Sequence, residues 1–454
     1  MKERIREYVR TKAREYARNI KVCLLGYGTT NKAVYKAISD LECIGEIVAR
    51  QSAADALTPD DGLRFITGKD AMMGLDEDII FASPSVRRER LTVRDDASVI
   101  SATDIFFSQK RDNIFLVSGS DGKSTVTSIA SLLLSPTFPT LFTGGNLGTP
   151  VATASLTADA FLLELSSFNL RYSLPSGKRG LLTNVTPNHL DWHDSLEEYE
   201  GCKMRLIKSV DEPILPIDCS FNEELARMTS SFALVSADTT DSTLRKRYDT
   251  LHTVTLQTSE IAVDGRPVLS LSNLRRRERH NVINFMSAIA LTLGYTTEER
   301  IREIAESFSG LEHRCESFTL SGKEYVNSSI DTTPERTRAT LMSLGRPVHL
   351  ILGGRGKGLS NEPMRTALLS YARSISVYGE AADGIVTWLD SDPELSRIPH
   401  GKFKTLKEAI DCADLGARGT VLLSPSATAY GEFKSFVERG RFFKSYLTEK
   451  HGDR

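Results

Sequence analysis

Between residues 119 and 203 the chain gathers side chains suited to phosphate and carboxylate chemistry. Gly119-Ser120-Asp121-Gly122-Lys123-Ser124-Thr125 combines two glycines with a lysine and hydroxyls. Glycines let a backbone curl until its N–H groups converge on phosphate oxygens. Lys123 then supplies a fixed cation, and Ser124 a hydroxyl able to ligate Mg²⁺. The run is two residues shorter between its glycines than GxxxxGK[ST]. Glu164 interrupts the apolar strand pattern FLLEL, where a carboxylate is costly unless it meets a cation or hydrogen bonds. A bound Mg²⁺ and a salt bridge each meet that need. His189, Asp191 and His193 follow another buried strand, as metal ligands or as solvated loop groups. Ser195-Leu196-Glu197-Glu198 predicts a capping box at the start of a helix. The apolar face of that helix runs through Leu196, Tyr199, Leu206 and Val210 with Ile207 alongside, and Lys203 falls on this inward stripe. A buried ammonium is expensive. The remedies are a depressed pKa, an anionic partner, conversion to a carbamate that can hold a metal, or snorkelling of the lysine stem.

These groups need βα units to hold them, and three strand–turn–helix openings stand out: KVCLLGYGTTNKAVYKAI (21–38), NIFLVSGSDGKSTVTSIASLLL (113–134) and RPVHLILGGRGKG (346–358). The first resembles a dinucleotide-binding turn. However, Asn31 replaces the third glycine, and Ile47-Val48 leads into Ala49-Arg50, not into an acid that would bind a ribose. Strands and helices alternate throughout, with helices expected near 280–293 and 297–308 and surface strands and loops over 238–279. The expected class is α/β in three domains: a Rossmann-like domain (1–110), a central P-loop ATPase-type domain with a mostly parallel sheet (111–310) and a Rossmann-like C-terminal domain (311–454).

At 454 residues, length alone suggests about three domains. The composition is 40% apolar and 26% charged, with net charge −2, so no global basic field attracts nucleic acid or anionic membrane. No run approaches the roughly 18 apolar residues of a membrane span, and MKERIREYVRTKAREYARN has no apolar core of a secretory signal. Six scattered cysteines without a CxxC pair fit free thiols in the cytoplasm.

With these pieces in place, the chain resembles the Mur ligases over nearly its whole length. The motifs, in order, are GSDGKST (119–125), GGNLG (144–148), ELSSF (164–168), NVTPNHLD (184–191), CKMRL (202–206), RHNVIN (279–284), LEHRCE (311–316), NSSIDTTPERT (327–337), ILGGRGKG (351–358) and LLSPSATAYGEFKSFVERG (422–440). The last two, with ELSSF, favour the branch that adds D-glutamate. The resemblance implies an ATP- and Mg²⁺-dependent amide ligase acting as a monomer on UDP-N-acetylmuramoyl-L-alanine and D-glutamate through an acyl phosphate. By position, Gly119 to Thr125 would hold the ATP phosphates, with Asn284 and Arg314 on the nucleotide. Ser124, Glu164, His189 and a carbamate of Lys203 would hold two Mg²⁺ ions, and Lys123, Glu164, His189 and Lys203 would carry the catalysis. Thr30, Arg50, Asn146 and His189 would contact the UDP-sugar, and Thr332, Lys357 and Phe436 the D-glutamate. The chain departs from the family pattern at Ser328, where the family has Asp, at Ala429, where it has Ser beside Thr428, and at Val48-Ala49-Arg50, where it has an acid and a threonine before the arginine. The alternatives are a related Mur or folylpolyglutamate-type ligase using another amino acid, and a non-catalytic nucleotide-binding regulator.

Overall fold

A computed structural model describes residues 1–51, 63–109, 111–146, 148–190, 192–356, 358–415 and 419–451. The chain divides into two compact units, residues 1–308 and 309–454. Both are α/β with mostly parallel sheets, as the alternation of strand and helix patterns predicts.

The first unit carries two sheets. One has five parallel strands, β1 (Ile20–Leu25), β2 (Ile44–Gln51), β3 (Arg64–Thr67), β4 (Ile79–Ala82) and β5 (Ser98–Ile100), in the order β3-β2-β1-β4-β5. The charged N-terminal helix Lys2–Tyr16 buries Ile5, Val9 and Ala13 in the core of this sheet, with Tyr8 and Tyr16 packed beside them.

The second sheet has nine strands: β6 (Ile114–Ser118), β7 (Leu141–Gly145), β8 (Ala160–Glu164), β9 (Gly177–Leu182), β10 (Val210–Pro216), β11 (Ser231–Ser236), β12 (Thr250–Gln257), β13 (Glu260–Val263) and β14 (Arg266–Ser270). Their order is β14-β13-β12-β11-β10-β9-β6-β8-β7, and only β13 and β14 run antiparallel to their neighbours. These two and β12 fall in the stretch 238–279 expected as surface strands and loops, but Asp241–Arg247 forms a helix there and Val254, Ile261 and Leu269 are buried in the core. The two helices expected behind them form as Arg279–Thr292 and Glu298–Ser307. Successive residues of β6 face opposite ways. Phe115 and Val117 meet the helices Lys123–Leu134 and Arg279–Thr292, while Ile114 and Leu116 join the core shared with the first sheet. The chain lays β7 and β8 on one side of β6 and β9 to β12 on the other. The strand order therefore reverses at β6, where ligands of open α/β sheets bind beyond the carboxyl ends.

The second unit has six strands: β15 (Glu316–Leu320), β16 (Lys323–Asn327), β17 (Val348–Gly353), β18 (Ala372–Tyr378), β19 (His400–Phe403) and β20 (Thr420–Ser426). Their order is β15-β16-β20-β17-β18-β19, all parallel except the β15–β16 hairpin. The helix Phe436–His451 closes the chain against β15 and β16. Its last turn is pinned by Asp414, whose carboxylate receives bonds from Lys323 (2.8 Å), Tyr325 (2.7 Å), Lys450 (3.0 Å) and His451 (2.8 Å). Burial alone would raise this carboxyl group, but the four donors outweigh it and hold Asp414 well below the usual carboxylate range. A carboxyl more acidic when folded stabilises fully above its unfolded value of about 3.9, and that contribution fades as pH falls toward the folded value. Asp414→Asn is therefore expected to cost on the order of 2 kcal/mol in chemical denaturation at pH 7, with the gap from wild type narrowing below about pH 4.

Candidate functional site

The glycine loop owes its shape to the strand beside it. Gly119 and Gly122 have φ of +138° and +80°, and Gly122 is the N-cap of the helix Lys123–Leu134. A Cβ on Gly119 would stand 1.8 Å from Thr183 Oγ1, and one on Gly122 would stand 2.4 Å from Asn284 Oδ1. Thr183, following β9, donates its hydroxyl to the Asp121 carbonyl at 2.6 Å. Asn184 accepts from the Asp121 amide at 2.9 Å through Oδ1 and from the Ser120 amide at 2.8 Å through its own carbonyl. The Ser120 hydroxyl lies 2.6 Å from the Tyr199 hydroxyl and 3.0 Å from the Thr186 carbonyl. No side chain caps the helix, so the N–H groups of its first turn, Lys123 to Thr125, are left for an anion at the positive end of the dipole. Lys123 Nζ curls over the loop and donates to the carbonyls of Gly119 (2.9 Å) and Ser120 (2.7 Å).

Glu164 ends β8 and is 1% exposed. Its Oε2 accepts from Ser124 Oγ at 2.7 Å and its Oε1 from Asn146 Nδ2 at 2.9 Å. Of the two alternatives, the salt bridge does not form among the described residues; two neutral donors bond the carboxylate. A hydroxyl and a carboxylate in contact beside an uncapped helix N-terminus are hard oxygen donors, a set that suits Mg²⁺.

Lys203 lies on the buried side of the helix Leu196–Lys208, with Tyr199, Cys202, Leu206 and Ile207, as its stripe predicted. It is 2% exposed. Its Nζ donates to the Gly119 carbonyl at 2.7 Å and to Ser118 Oγ at 3.1 Å. Burial, and after it the neighbouring Lys123 cation, push its amine well below the ordinary lysine value. Only half of the expected capping box forms. Ser195 Oγ accepts from the Glu198 amide, but the Glu198 carboxylate turns to the Asp194 amide (2.7 Å), His193 (3.0 Å) and Arg171.

His189 is exposed, with φ of +54° and its ring centroid 5.1 Å from that of Phe168. His193 is buried between Glu198 and Ser167 Oγ (3.0 Å), and burial lowers it to about 4, so it stays neutral. Asp191 lies outside the described residues. The loop bearing these histidines is fastened to the first sheet. Trp192 Nε1 donates to the Ser85 carbonyl at 2.8 Å, and Arg87 donates to the Trp192 carbonyl and to Asp194, each at 2.7 Å. Sequence reasoning missed this staple and the shaping role of Thr183; the sequence signal for Thr183 was a polar residue directly after a buried strand.

Asn284, on the helix Arg279–Thr292, is buried with Oδ1 against Gly122. Close by, Thr125, Ile129, Asn281, Phe285 and Phe308 line a pocket. Thr30 stands half-buried in the first turn of the helix Thr29–Ile38 after β1. Arg50 is the penultimate residue of β2, buried, with Nε bonded to Glu77 at 2.8 Å.

In the second unit, Thr332 follows β16 and Phe436 starts the last helix, both half-buried, while Arg314 is exposed. Lys357 lies outside the described residues. Ser328 is fully buried, its Oγ accepting from the Cys315 amide at 3.3 Å, and Ala429 is buried. The segments after β16, β17 and β20 meet at the carboxyl edge where this unit's strand order reverses.

Residues 117–292 match the Mur ligase middle domain. The chain is similar to the UDP-N-acetylmuramoylalanine--D-glutamate ligase of Acetivibrio thermocellus, at 30% identity over 95% of this chain and 96% of that protein. The protein of the same name from Clostridium kluyveri is 30% identical over 94% and 96%. Among solved structures, the UDP-N-acetylmuramate-alanine ligase of Thermotoga maritima is similar in fold, with a TM-score of 0.57 at 16% identity, covering 95% of this chain and all of that one.

Gly122→Ala combines a left-handed backbone with a clash against Asn284. It is expected to destabilise the protein by about 1–2 kcal/mol and to weaken MgATP binding at least tenfold, read by calorimetry.

Proposed function

The chain belongs to the Mur ligase family, and on that premise we propose that it forms the amide bond between UDP-N-acetylmuramoyl-L-alanine and D-glutamate, driven by ATP. It is a carboxylate–amine ligase of peptidoglycan precursor synthesis. It works in the cytoplasm, a reading that its six free cysteines support.

The observation that carries the reading is Lys203: an amine 2% exposed, 2.7 Å from the carbonyl of the first loop glycine. Among the described residues no carboxylate pairs with it. Burial shifts this amine toward its neutral, nucleophilic form. In that form it adds to CO₂ to give a carbamate and a proton, replacing a group that is costly to bury as a cation with an oxygen ligand.

The uncapped helix turn and Lys123 hold the ATP phosphates, and Asn284 supports the nucleotide beside Gly122. Ser124 and Glu164 would hold one Mg²⁺ ion, and His189 with a carbamate of Lys203 would hold a second. Those ions would offset the charge of the converging phosphate and carboxylate oxygens. Thr30, Arg50 and Asn146 bind the UDP-sugar. The terminal carboxylate of that substrate attacks the γ-phosphate in line, ADP departs, and an acyl phosphate forms. Thr332, Lys357 and Phe436 would bind D-glutamate and Arg314 the nucleotide, and the D-glutamate amine attacks the acyl phosphate. The tetrahedral intermediate collapses to amide and phosphate. Arg50 must part from Glu77, or share it, to reach a diphosphate.

Mass spectrometry of products from UDP-N-acetylmuramoyl-L-alanine, ATP and competing D- and L-amino acids tests the reaction; a dominant product other than the D-glutamate adduct refutes the choice of amino acid. Lys203→Ala is expected to lose at least 10³-fold in kcat, with partial rescue by short carboxylic acids. Full activity without added acid removes the carbamate.

A further inference from the structure

Arg439, one turn into the last helix, is the largest fully buried side chain among the described residues, with 0% exposure. A buried guanidinium normally meets a carboxylate. Here every hydrogen-bond partner among the described residues is a neutral oxygen. Nε donates to Ser329 Oγ at 2.9 Å and Nη2 to the Ser329 carbonyl at 2.8 Å. Nη1 donates to the Ala427 carbonyl at 3.0 Å, with the Gly353 carbonyl at 3.5 Å and the Tyr378 hydroxyl at 3.4 Å. The nearby acids are otherwise engaged. Asp331 accepts from Thr340 (2.7 Å) and Ser424 (2.8 Å), and Glu432 accepts from the Leu406 amide.

The placement of those oxygens is specific. Ser329 follows β16, Gly353 ends β17, Tyr378 ends β18 and Ala427 follows β20. One side chain thus ties the carboxyl ends of four strands at the reversal point of the sheet. Ser329 Oγ passes the link on, donating to the Phe436 carbonyl at 2.8 Å. A Cβ on Gly354 would lie 3.0 Å from Nη1 and 2.2 Å from the Thr428 carbonyl, so the glycine turn is closed down onto the arginine. The same edge therefore carries a positive charge that no carboxylate among the described residues binds directly, beside the positive N-terminus of a sixteen-residue helix.

We propose that Arg439 is the positioning residue of the amino-acid site: it sets the geometry of the strand-end segments and leaves there a positive charge that the carboxylates of an acidic amino-acid substrate neutralise. This rests on the proposed ligase reaction and assigns to it the preference for a dicarboxylic amino acid.

The test is steady-state kinetics of Arg439→Met, Arg439→Lys and Ser329→Ala, with thermal melting as the control for folding. Arg439→Met, which keeps the volume without the charge, is expected to raise the KM for D-glutamate at least tenfold while the KM values for ATP and the UDP-sugar stay within twofold. Arg439→Lys restores the charge and is expected to bring the KM for D-glutamate within threefold of wild type. Ser329→Ala cuts the link to Phe436 and is expected to raise that KM three- to tenfold. An unchanged KM for D-glutamate in Arg439→Met, an equal rise in all three KM values, or a lysine variant as impaired as the methionine one overturns the inference. If Arg439→Met does not fold, the other two variants decide, and a Ser329→Ala variant with wild-type KM overturns it. Wild-type phosphate release that ignores D-glutamate refutes the ligase reading itself; dependence on D-glutamate with Arg439→Met unaltered refutes only the role of Arg439.

Discussion

A carboxylate buried at the end of a parallel strand must be bonded, and the bonds that satisfy Glu164 organise the central site. One oxygen takes the hydroxyl of Ser124 from the first turn of the loop helix, and the other takes the amide of Asn146 from the turn after β7. Three consecutive βα openings of the nine-stranded sheet are thereby referenced to one side chain. Each bond to an ionised acceptor is worth roughly 1.5–3 kcal/mol, so the loop helix, β8 and the β7 turn hold a common register before any ligand arrives. Ser124 and Asn146 are also neutral donors, so neither takes the place of an incoming cation.

The opposite sign of the same principle operates at Lys203 and Arg439. Both are basic groups placed where solvent cannot reach, and neither donates a hydrogen bond to a carboxylate among the described residues. Lysine has an escape, because its amine gives up a proton when desolvated. Arginine stays charged under the same pressure. One position is thereby disposed toward chemical modification and the other toward an electrostatic field, from a similar burial cost.

Much of this was legible in the sequence for a physical reason: periodicity reports which way a side chain points. Lys203 at seven residues from Leu196 had to face inward, and Glu164 inside an apolar strand had to find partners. The three strand–turn–helix openings likewise announced three parallel sheets. Contacts between segments distant in sequence were not legible. That Thr183 and Asn184 would mould the glycine loop, or that Asn284 would stand against Gly122, depends on sheet order, which local pattern does not encode. Glu198 was expected back at Ser195, but His193, Asp194 and Arg171 offered more donors than one backbone amide. Arg439 was hidden for the reverse reason, since an arginine in a charged helical run reads as a solvent-facing residue.

The staple between the two sheets of the first unit has an evolutionary consequence. The loop bearing His189 takes its anchorage from Ser85 and Arg87, on a segment of the first sheet, as well as from its own strand. Drift at position 87 therefore disturbs Asp194 and the backbone at Trp192. Compensating replacements should appear as correlated pairs across a lineage, joining positions 85–87 to 192–194 even where nothing in either segment has a catalytic duty.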